Sequence, residues 1–231
     1  MEKIKLLKNK VIVSVQAMPN EPLYKEECMS AMMQSVIKGV PAGLRVAGVR
    51  DVKMAKALTN IPIIGITKPN VIPQNFKEIV YITPTISDVV SLAQAGADII
   101  AFDATTRPRP GGDSLKNIIK YVKINNKISM ADISTFDEGV NARELGADIL
   151  STTLSGYTMQ SNNATSEPDF ELLEKLVKEV DCPVILEGRI WTLEHVKRAF
   201  ELGAHSVVIG SAITRPQLIT KMFTSWDKIQ D

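Results

Sequence analysis

AGADIIAFD, residues 95–103, places a helix end, an apolar run and a terminal carboxylate in immediate succession. Glycine is the usual residue just past a helix end because it tolerates a left-handed backbone, so Gly96 indicates a helix-to-strand junction. The same junction recurs as LGAD at 145–148 and LGAH at 202–205, each time just before another apolar run. The recurrence suggests a chain built from repeated strand–helix units.

Other short apolar runs, most of which end in a polar or charged residue, lie on both sides of this stretch. They are IVSVQ (12–16), AGLR (42–45), PIIGITK (62–68), ISMAD (128–132), ILSTT (149–153), PVILE (183–187) and SVVIG (206–210). They are rich in Val and Ile and mostly lack polar alternation, which is typical of parallel strands buried on both faces. Helix-like stretches at 21–38, 114–124 and 170–180 separate them. We therefore predict an α/β protein, a (β/α)8 TIM barrel in which residues 1–231 form a single domain.

Three further segments lie outside this pattern. IVYIT at 79–83 also resembles a strand, and we interpret it as a short extra strand inside an elaborated loop, residues 69–85. The loops at 107–112 and 158–168 follow the fourth and sixth strands, on the face where a barrel holds its active site, and are candidate lids.

Composition argues against several classes of function. The chain has 231 residues with 27 Lys and Arg against 26 Asp and Glu, so the net charge of +1 indicates no nucleic-acid or membrane surface. Cys28 and Cys182 lie far apart and are expected to be reduced. The basic start MEKIKLLKNK lacks an adequate apolar region for a signal peptide, and no run is long enough to span a membrane. We expect a cytoplasmic protein.

Polar residues at the strand ends are the candidate catalytic groups, because the strand carboxyl ends of a barrel open onto one face. Lys68 ends an apolar run, and burial beside Arg45 would lower its pKa and leave a neutral amine. Such an amine can be a general base or a Schiff-base nucleophile, and the sequence does not distinguish between these two roles. A surface lysine that keeps its head in water is the alternative.

The carboxylates at strand ends have several possible roles. Glu187 is either an acid/base partner for Lys68, a ligand for a sugar hydroxyl, or a structural partner of Arg189 or Arg215. Asp103 and Asp132 can bind hydroxyls, bind a metal or hold the barrel mouth by hydrogen bonds, and we rank Asp132 higher for substrate contact. No histidine shares a strand end with these groups, so a metal site is poorly supported.

Two further polar residues belong to the predicted mouth. Arg45, a charge inside an apolar segment, must pair with a carboxylate or meet an anion if it is buried. Gln16 suits a hydroxyl or an acetamido group, since its side chain both donates and accepts hydrogen bonds. It could equally satisfy backbone groups.

The loops after the seventh and eighth strands form a candidate phosphate site. Barrels commonly bind phosphate with these two loops and a short helix N-terminus. We predict contacts from the backbone of Gly188, Arg189, Gly210 and Ser211, and a charge-assisted contact from Arg215. The alternative is that the glycines only form tight turns and Arg215 is a surface charge.

The ordered motifs resemble the bacterial N-acetylmannosamine-6-phosphate 2-epimerases nearly from end to end. The matching segments include IVSVQA (12–17), GLRVAGVRD (43–51), PIIGITK (62–68), MADIST (130–135), EGRI (187–190) and GSAITRPQLITKMF (210–223). The resemblance implies a (β/α)8 barrel that interconverts N-acetylmannosamine 6-phosphate and N-acetylglucosamine 6-phosphate in sialic acid salvage, without a redox cofactor. It also makes a homodimer plausible.

The resemblance assigns roles to particular residues. The catalytic lysine and glutamate of the family match Lys68 and Glu187, substrate contacts match Gln16, Arg45 and Asp132, and the phosphate-side arginine matches Arg215. Two other classes remain open: a Schiff-base lyase that would also use Lys68, and a non-enzymatic phosphosugar-binding regulator.

Overall fold

The computed structural model describes residues 2–161 and 166–225, in which parallel strands form a closed barrel and helices alternate with them. The strands are β1 (Lys10–Val15), β2 (Gly43–Ala47), β3 (Ile63–Ile66), β4 (Ile99–Asp103), β5 (Ile128–Asp132), β6 (Ile149–Ser151), β7 (Val184–Glu187) and β8 (Ser206–Ile209). The helices are α1 (Glu2–Leu7), α2 (Glu26–Lys38), α3 (Val49–Leu58), α4 (Ile86–Ala95), α5 (Leu115–Ile124), α6 (Phe136–Glu144), α7 (Phe170–Glu179), α8 (Leu193–Glu201), α9 (Ser211–Thr214) and α10 (Pro216–Thr224). Each strand pairs with the next, and β8 pairs with β1 through Lys10–Ser206 and Val13–Ile209. The predicted (β/α)8 barrel is confirmed.

The strands are apolar on both faces because each face packs against a different layer. Alternate residues such as Ile12, Ile64, Ile99 and Met130 form one buried cluster inside the barrel. Their neighbours, such as Val13, form a second cluster with the inner faces of the helices. Side chains two apart on a strand point to the same side, so each strand contributes to both clusters.

The start of the chain closes one end of the barrel. Leu7 on α1 is fully buried in the interior cluster. The backbone of this segment is tied to the loop before β8, since Asn9 N donates to His205 O at 2.8 Å and the His205 ring contacts Ile4 O at 2.9 Å. The basic N-terminal segment therefore serves as the floor of the barrel.

The glycine junctions adopt the predicted left-handed conformation. The φ angles of Gly96, Gly146 and Gly203 are +100°, +98° and +92°. The residue two positions after the glycine then bonds to the neighbouring strand. For example, Asp98 N donates to Ile63 O on β3 at 2.9 Å. The repeated motif thus reflects one solution for passing from a helix to the next strand.

The extra strand expected at residues 79–83 is wrong. This segment is irregular, and its backbone bonds to other loops: Val80 N donates to Pro108 O at 3.0 Å and Thr83 N donates to Thr67 O at 3.1 Å. Its apolar character has another cause, because Val80 and Ile82 are buried over the barrel mouth. In the part of the chain that the structure describes, no helix has the length and apolar content needed to cross a membrane.

Candidate active site

The strand register brings the predicted strand-end residues to one mouth of the barrel. Every second side chain of a strand faces the barrel interior, and this alternation continues to the carboxyl end of the strand. The side chains found there belong to Gln16, Arg45, Lys68, Asp103, Asp132, Thr153 and Glu187. Distant parts of the sequence thereby meet in one polar layer above the apolar interior.

Lys68 belongs to this layer and is held by a short chain of hydrogen bonds. Its Nζ donates to Gln16 Oε1 at 2.8 Å, and Gln16 Nε2 donates to Ser14 Oγ at 2.8 Å. Burial, reinforced by the positive charge of Arg45, lowers the pKa of Lys68 to about 8. A minor fraction of Lys68, about one tenth, is therefore a neutral amine at pH 7.

Arg45 is a buried hub that joins two carboxyl groups. Its guanidinium donates to both Asp132 oxygens, at 3.0 and 2.5 Å, and to Glu187 Oε2 at 2.8 Å. Burial disfavours the charge of Arg45, but Asp132 and Glu187 outweigh this effect and raise its pKa above the ordinary value. The ion pair weighed from the sequence is present, and it links β2, β5 and β7.

Glu187 differs from Asp132 in its surroundings. Asp132 is fully buried, whereas the Glu187 side chain is 14% exposed toward the cavity described below. Burial raises the pKa of Glu187 above its ordinary value, and Arg45 offsets this only in part. The carboxyl group of Glu187 pairs with Arg45. It does not pair with Arg189 or Arg215, the two partners considered from the sequence.

Thr153 was missed as a site residue. Its Oγ1 lies 2.8 Å from Asp132 Oδ1 and 3.1 Å from Glu187 Oε2. The signal was available, because ILSTT ends at Thr153 and the two-residue period from Ile149 makes that side chain point inward.

A cavity of about 460 Å³ opens above Lys68 and Glu187. Its walls come from the loops after β7 and β8 and from the tyrosines Tyr81 and Tyr157. Arg45 and Asp132 do not belong to its lining and lie beneath it, so their direct contact with substrate remains a prediction. The two tyrosines belong to irregular loops and had no signal in the sequence pattern.

One end of this cavity is formed by the predicted phosphate loops. Gly188, Arg189, Gly210, Ser211 and Arg215 all line it. Gly188 has a φ of +110° and nothing within 4 Å of the position that a Cβ would take, so its backbone faces open space.

Arg215 has a defined partner but is not saturated. Its guanidinium pairs with Glu21 in the loop after β1, and burial lowers its pKa. Its Nε is buried without a hydrogen-bond partner. The protein thus leaves one donor of the predicted phosphate-side arginine without a partner.

Asp103 is committed to structure. Its carboxylate pairs with Arg107 and accepts from Thr105 Oγ1 at 2.7 Å, and Arg107 also donates to Phe76 O at 2.6 Å. This cluster ties the start of the 107–112 loop to the barrel mouth and favours the hydrogen-bonding role over substrate contact.

The other candidate lid is anchored by Arg189. Its guanidinium donates to Ser155 O and Glu167 O, both at 2.7 Å, on the two sides of residues 162–165. Those four positions of the predicted 158–168 lid lie outside the described residues. Within residues 2–161 and 166–225, no cluster of three or more His, Cys, Asp or Glu could hold a metal ion.

The fold and this site define a class: a (β/α)8-barrel protein with a buried lysine–carboxylate centre at the mouth, beside glycine-containing loops suited to an anion. Comparison with known proteins narrows the class. Residues 29–230 match the family model described as "Putative N-acetylmannosamine-6-phosphate epimerase". The chain belongs to this family.

Individual relatives agree over nearly the whole chain. A Clostridioides difficile protein named as a putative N-acetylmannosamine-6-phosphate 2-epimerase is 47% identical over 217 residues, covering 94% of this chain and 95% of that protein. One of the same name from Caldanaerobacter subterraneus is 44% identical over 233 residues, covering 99% and 95%.

A solved structure agrees in the same way. The N-acetylmannosamine-6-phosphate 2-epimerase from Clostridium perfringens superposes with a TM-score of 0.90 at 45% identity, covering 96% of this chain and 95% of that one. A Pyrococcus furiosus thiamine phosphate pyrophosphorylase, at 16% identity and a TM-score of 0.62, shares the fold alone.

Proposed function

We propose that this protein interconverts N-acetylmannosamine 6-phosphate and N-acetylglucosamine 6-phosphate by removing and returning the proton at C2, in amino-sugar and sialic acid salvage. The observation that carries the proposal is that Lys68 and Glu187 both line the cavity at the barrel mouth. Their pKa values are shifted toward each other, downward for Lys68 and upward for Glu187. Groups shifted in this way can each give and take a proton near neutral pH.

The chemistry requires an open-chain sugar, because the C2 proton is acidic only beside the C1 aldehyde. Removing the proton gives an enolate, and returning a proton to the opposite face inverts C2. Lys68 is the principal acid/base group, and Glu187 is its partner on the other face or at the moving hydroxyl protons. One proton leaves C2 and one returns, so the reaction needs no redox cofactor.

The remaining site residues orient the substrate and balance charge. Gln16 holds Lys68 and presents its amide to the sugar, with Asp132 as a second orienting group. Arg45 supplies positive charge next to Glu187 and beneath the developing enolate. The phosphate would bind the backbone of Gly188, Arg189, Gly210 and Ser211, together with Arg215. Binding the phosphate at one end helps to hold C2 in place at the other.

The direct test is incubation of purified protein with N-acetylmannosamine 6-phosphate, followed by chromatographic separation of the two epimers. We expect conversion to an equilibrium mixture that is also reached from N-acetylglucosamine 6-phosphate. Absence of conversion from either side, with intact folded protein, would overturn the proposal. Unphosphorylated N-acetylmannosamine serves as the control and is expected to react far more slowly.

The rival use of Lys68 as a Schiff-base nucleophile has its own test. Borohydride reduction during turnover would trap a substrate adduct on Lys68 in a lyase, and a mass increase on the lysine peptide would report it. We expect no adduct. A non-catalytic phosphosugar-binding regulator would bind both sugar phosphates and convert neither.

We extend the proposal to the whole protein: residues 1–231 form one domain, and the protein is a cytoplasmic homodimer. Support for the dimer comes from apolar surface near the chain end. Helix α10 exposes Met222 and Phe223, and a separate apolar groove is lined by residues of β1, α2 and the loop after α2, together with Ile213. Analytical ultracentrifugation tests the dimer, and a monomer at micromolar concentration would contradict it.

A further inference from the structure

We propose that Thr153 is a positioning residue for Glu187: its hydroxyl group bridges the carboxyl groups of Glu187 and Asp132 and fixes the orientation from which Glu187 exchanges a proton. The catalytic consequence rests on the proposed function, whereas the hydrogen-bond arrangement does not. Thr153 Oγ1 lies 3.1 Å from Glu187 Oε2, 2.8 Å from Asp132 Oδ1 and 2.8 Å from Ser151 Oγ.

The Thr153 hydroxyl has a single proton, so it can donate to only one of the two carboxyl groups at a time. A threonine hydroxyl donates one hydrogen bond and accepts two. With both carboxyl groups ionised, Thr153 satisfies one of them and leaves the other facing an oxygen lone pair. With Glu187 protonated, Glu187 donates to Thr153 and Thr153 donates to Asp132, so the three oxygens are joined. When Glu187 ionises, rotation of the Thr153 hydroxyl supplies it with a donor.

The charged neighbours decide which carboxyl changes its protonation. Arg45 donates twice to Asp132, at 2.5 and 3.0 Å, but only once to Glu187, at 2.8 Å. The charged groups that face Glu187 are Arg45 on β2, Lys68 after β3 and Asp132 on β5. The adjoining strands β6 and β8 contain no titratable side chain. Glu187 is therefore the more weakly held carboxyl, and Thr153 contacts the same Oε2 that Arg45 holds.

The local sequence gives two neighbouring threonines separate tasks on Glu187. Thr152 Oγ1 donates to Glu187 O and accepts from Glu187 N, both at 3.1 Å, and so holds the main chain. Thr153, pointing to the other side of β6, holds the side chain. Loss of the Thr153 hydroxyl should thus free the carboxyl while the strand stays in place.

Steady-state kinetics of Thr153→Val, which keeps the branched shape, tests the catalytic consequence. A misoriented acid/base group should lower kcat roughly tenfold to a hundredfold with little change in KM. Thr153→Ser should restore kcat to within about threefold, because it returns the hydroxyl. Thr59→Val, at the opposite end of the barrel, is the matched control and should leave both parameters unchanged.

Carbon-13 NMR of the Glu187 carboxyl in the ligand-free protein tests the hydrogen bond without relying on turnover, with Glu187→Gln to assign the signal. Thr153→Val removes both the donor to the ionised carboxylate and the acceptor for the protonated carboxyl. The bond to the charged carboxylate is the stronger of the two, so the pKa of Glu187 should rise by about one unit in Thr153→Val but not in Thr153→Ser. If Thr153→Val does not fold, Thr153→Cys, with its weak donor, should give an intermediate shift.

Two results would overturn the inference: an unchanged carboxyl titration in Thr153→Val, or equal shifts in the valine and serine variants. A shifted titration in a protein that never converts the sugar phosphates would refute the proposed function and leave the hydrogen-bond role of Thr153 standing.

Discussion

Lys68 and Glu187 are tuned by their neighbours in opposite directions. Lys68 is deprived of solvent and placed near Arg45, which favours its neutral form, whereas burial favours the neutral form of Glu187. Neither residue is isolated, since Gln16 holds Lys68 and Arg45 holds Glu187. The site thus combines groups ready for proton transfer with fixed positions.

Replacing Lys68 by alanine should remove the principal acid/base group and leave most of the cavity intact. We expect kcat to fall by about a hundredfold to ten-thousandfold, the usual contribution of general acid–base catalysis. Binding of N-acetylglucosamine 6-phosphate by calorimetry should weaken far less. Lys120→Ala, on an exposed face of α5, is the control. Near-normal kcat in the Lys68 variant would contradict the assignment.

The pH profile distinguishes a working pair from a lysine acting alone. If one group must carry a proton while the other lacks it, activity declines when both are protonated at low pH and when both are deprotonated at high pH. Because the pKa of Lys68 is lowered to about 8, the alkaline decline in kcat/KM should begin near that pH. A profile that rises through pH 8 and then stays level would show that Lys68 acts without a protonated partner.

At the scale of elements, we assign phosphate binding to the loops after β7 and β8, and proton transfer to Lys68 and Glu187 at the strand ends. Helix α9 begins at Ser211, directly after β8, and Arg215 stands where α9 passes into α10. Glu21, from the loop after β1, pairs with Arg215 and so joins the first and last strand loops across the barrel seam. Phosphate affinity should therefore depend on Arg215 and the start of α9, and hardly on Lys68.

Replacing Arg215 by alanine should mainly weaken phosphate binding. We expect KM for N-acetylmannosamine 6-phosphate to rise about tenfold or more, since a charge-assisted contact is lost, while kcat changes less. The variant should also discriminate less between the phosphorylated and unphosphorylated sugars. Arg198→Ala, on the exposed side of α8, should leave KM unchanged. An unchanged KM in the Arg215 variant would remove this residue from the phosphate site.

The sequence predicted the elements well where periodicity governs them and poorly where loops pack on loops. The strand-end residues Lys68 and Glu187 could be placed because the carboxyl ends of all the strands of a barrel open onto one face. The segment 79–83 could not, since apolar residues covering the barrel mouth look the same as a strand. The Arg215–Glu21 pair was equally hidden, because nothing local in the sequence links positions so far apart.

At the scale of the whole molecule, the two ends of the barrel have different tasks. The polar layer and cavity occupy the carboxyl ends of the strands, while α1 closes the other end with Leu7 in the apolar interior. Barrels commonly divide stability and catalysis in this way. Damage at the closed end should therefore change folding before it changes chemistry.

Replacing Leu7 by alanine tests this division. Leu7 is fully buried, so its truncation should lower the free energy of unfolding by about 2–5 kcal/mol, measured by urea denaturation. The kcat of the folded fraction should stay unchanged. Leu6→Ala, at a side chain that is 46% exposed, should cost no more than about 0.5 kcal/mol. Equal losses of stability in the two variants would show that Leu7 does not help to close the barrel.

The most direct test of the central claim is proton NMR of the purified protein with N-acetylmannosamine 6-phosphate in D2O. If Lys68 and Glu187 exchange the C2 proton, N-acetylglucosamine 6-phosphate should appear with deuterium at C2. Its C2 proton signal should then be missing, and the residual substrate should gain deuterium at the same position. Lys68→Ala should abolish both changes. Folded protein that forms no N-acetylglucosamine 6-phosphate and leaves the C2 proton of the substrate in place would contradict the account.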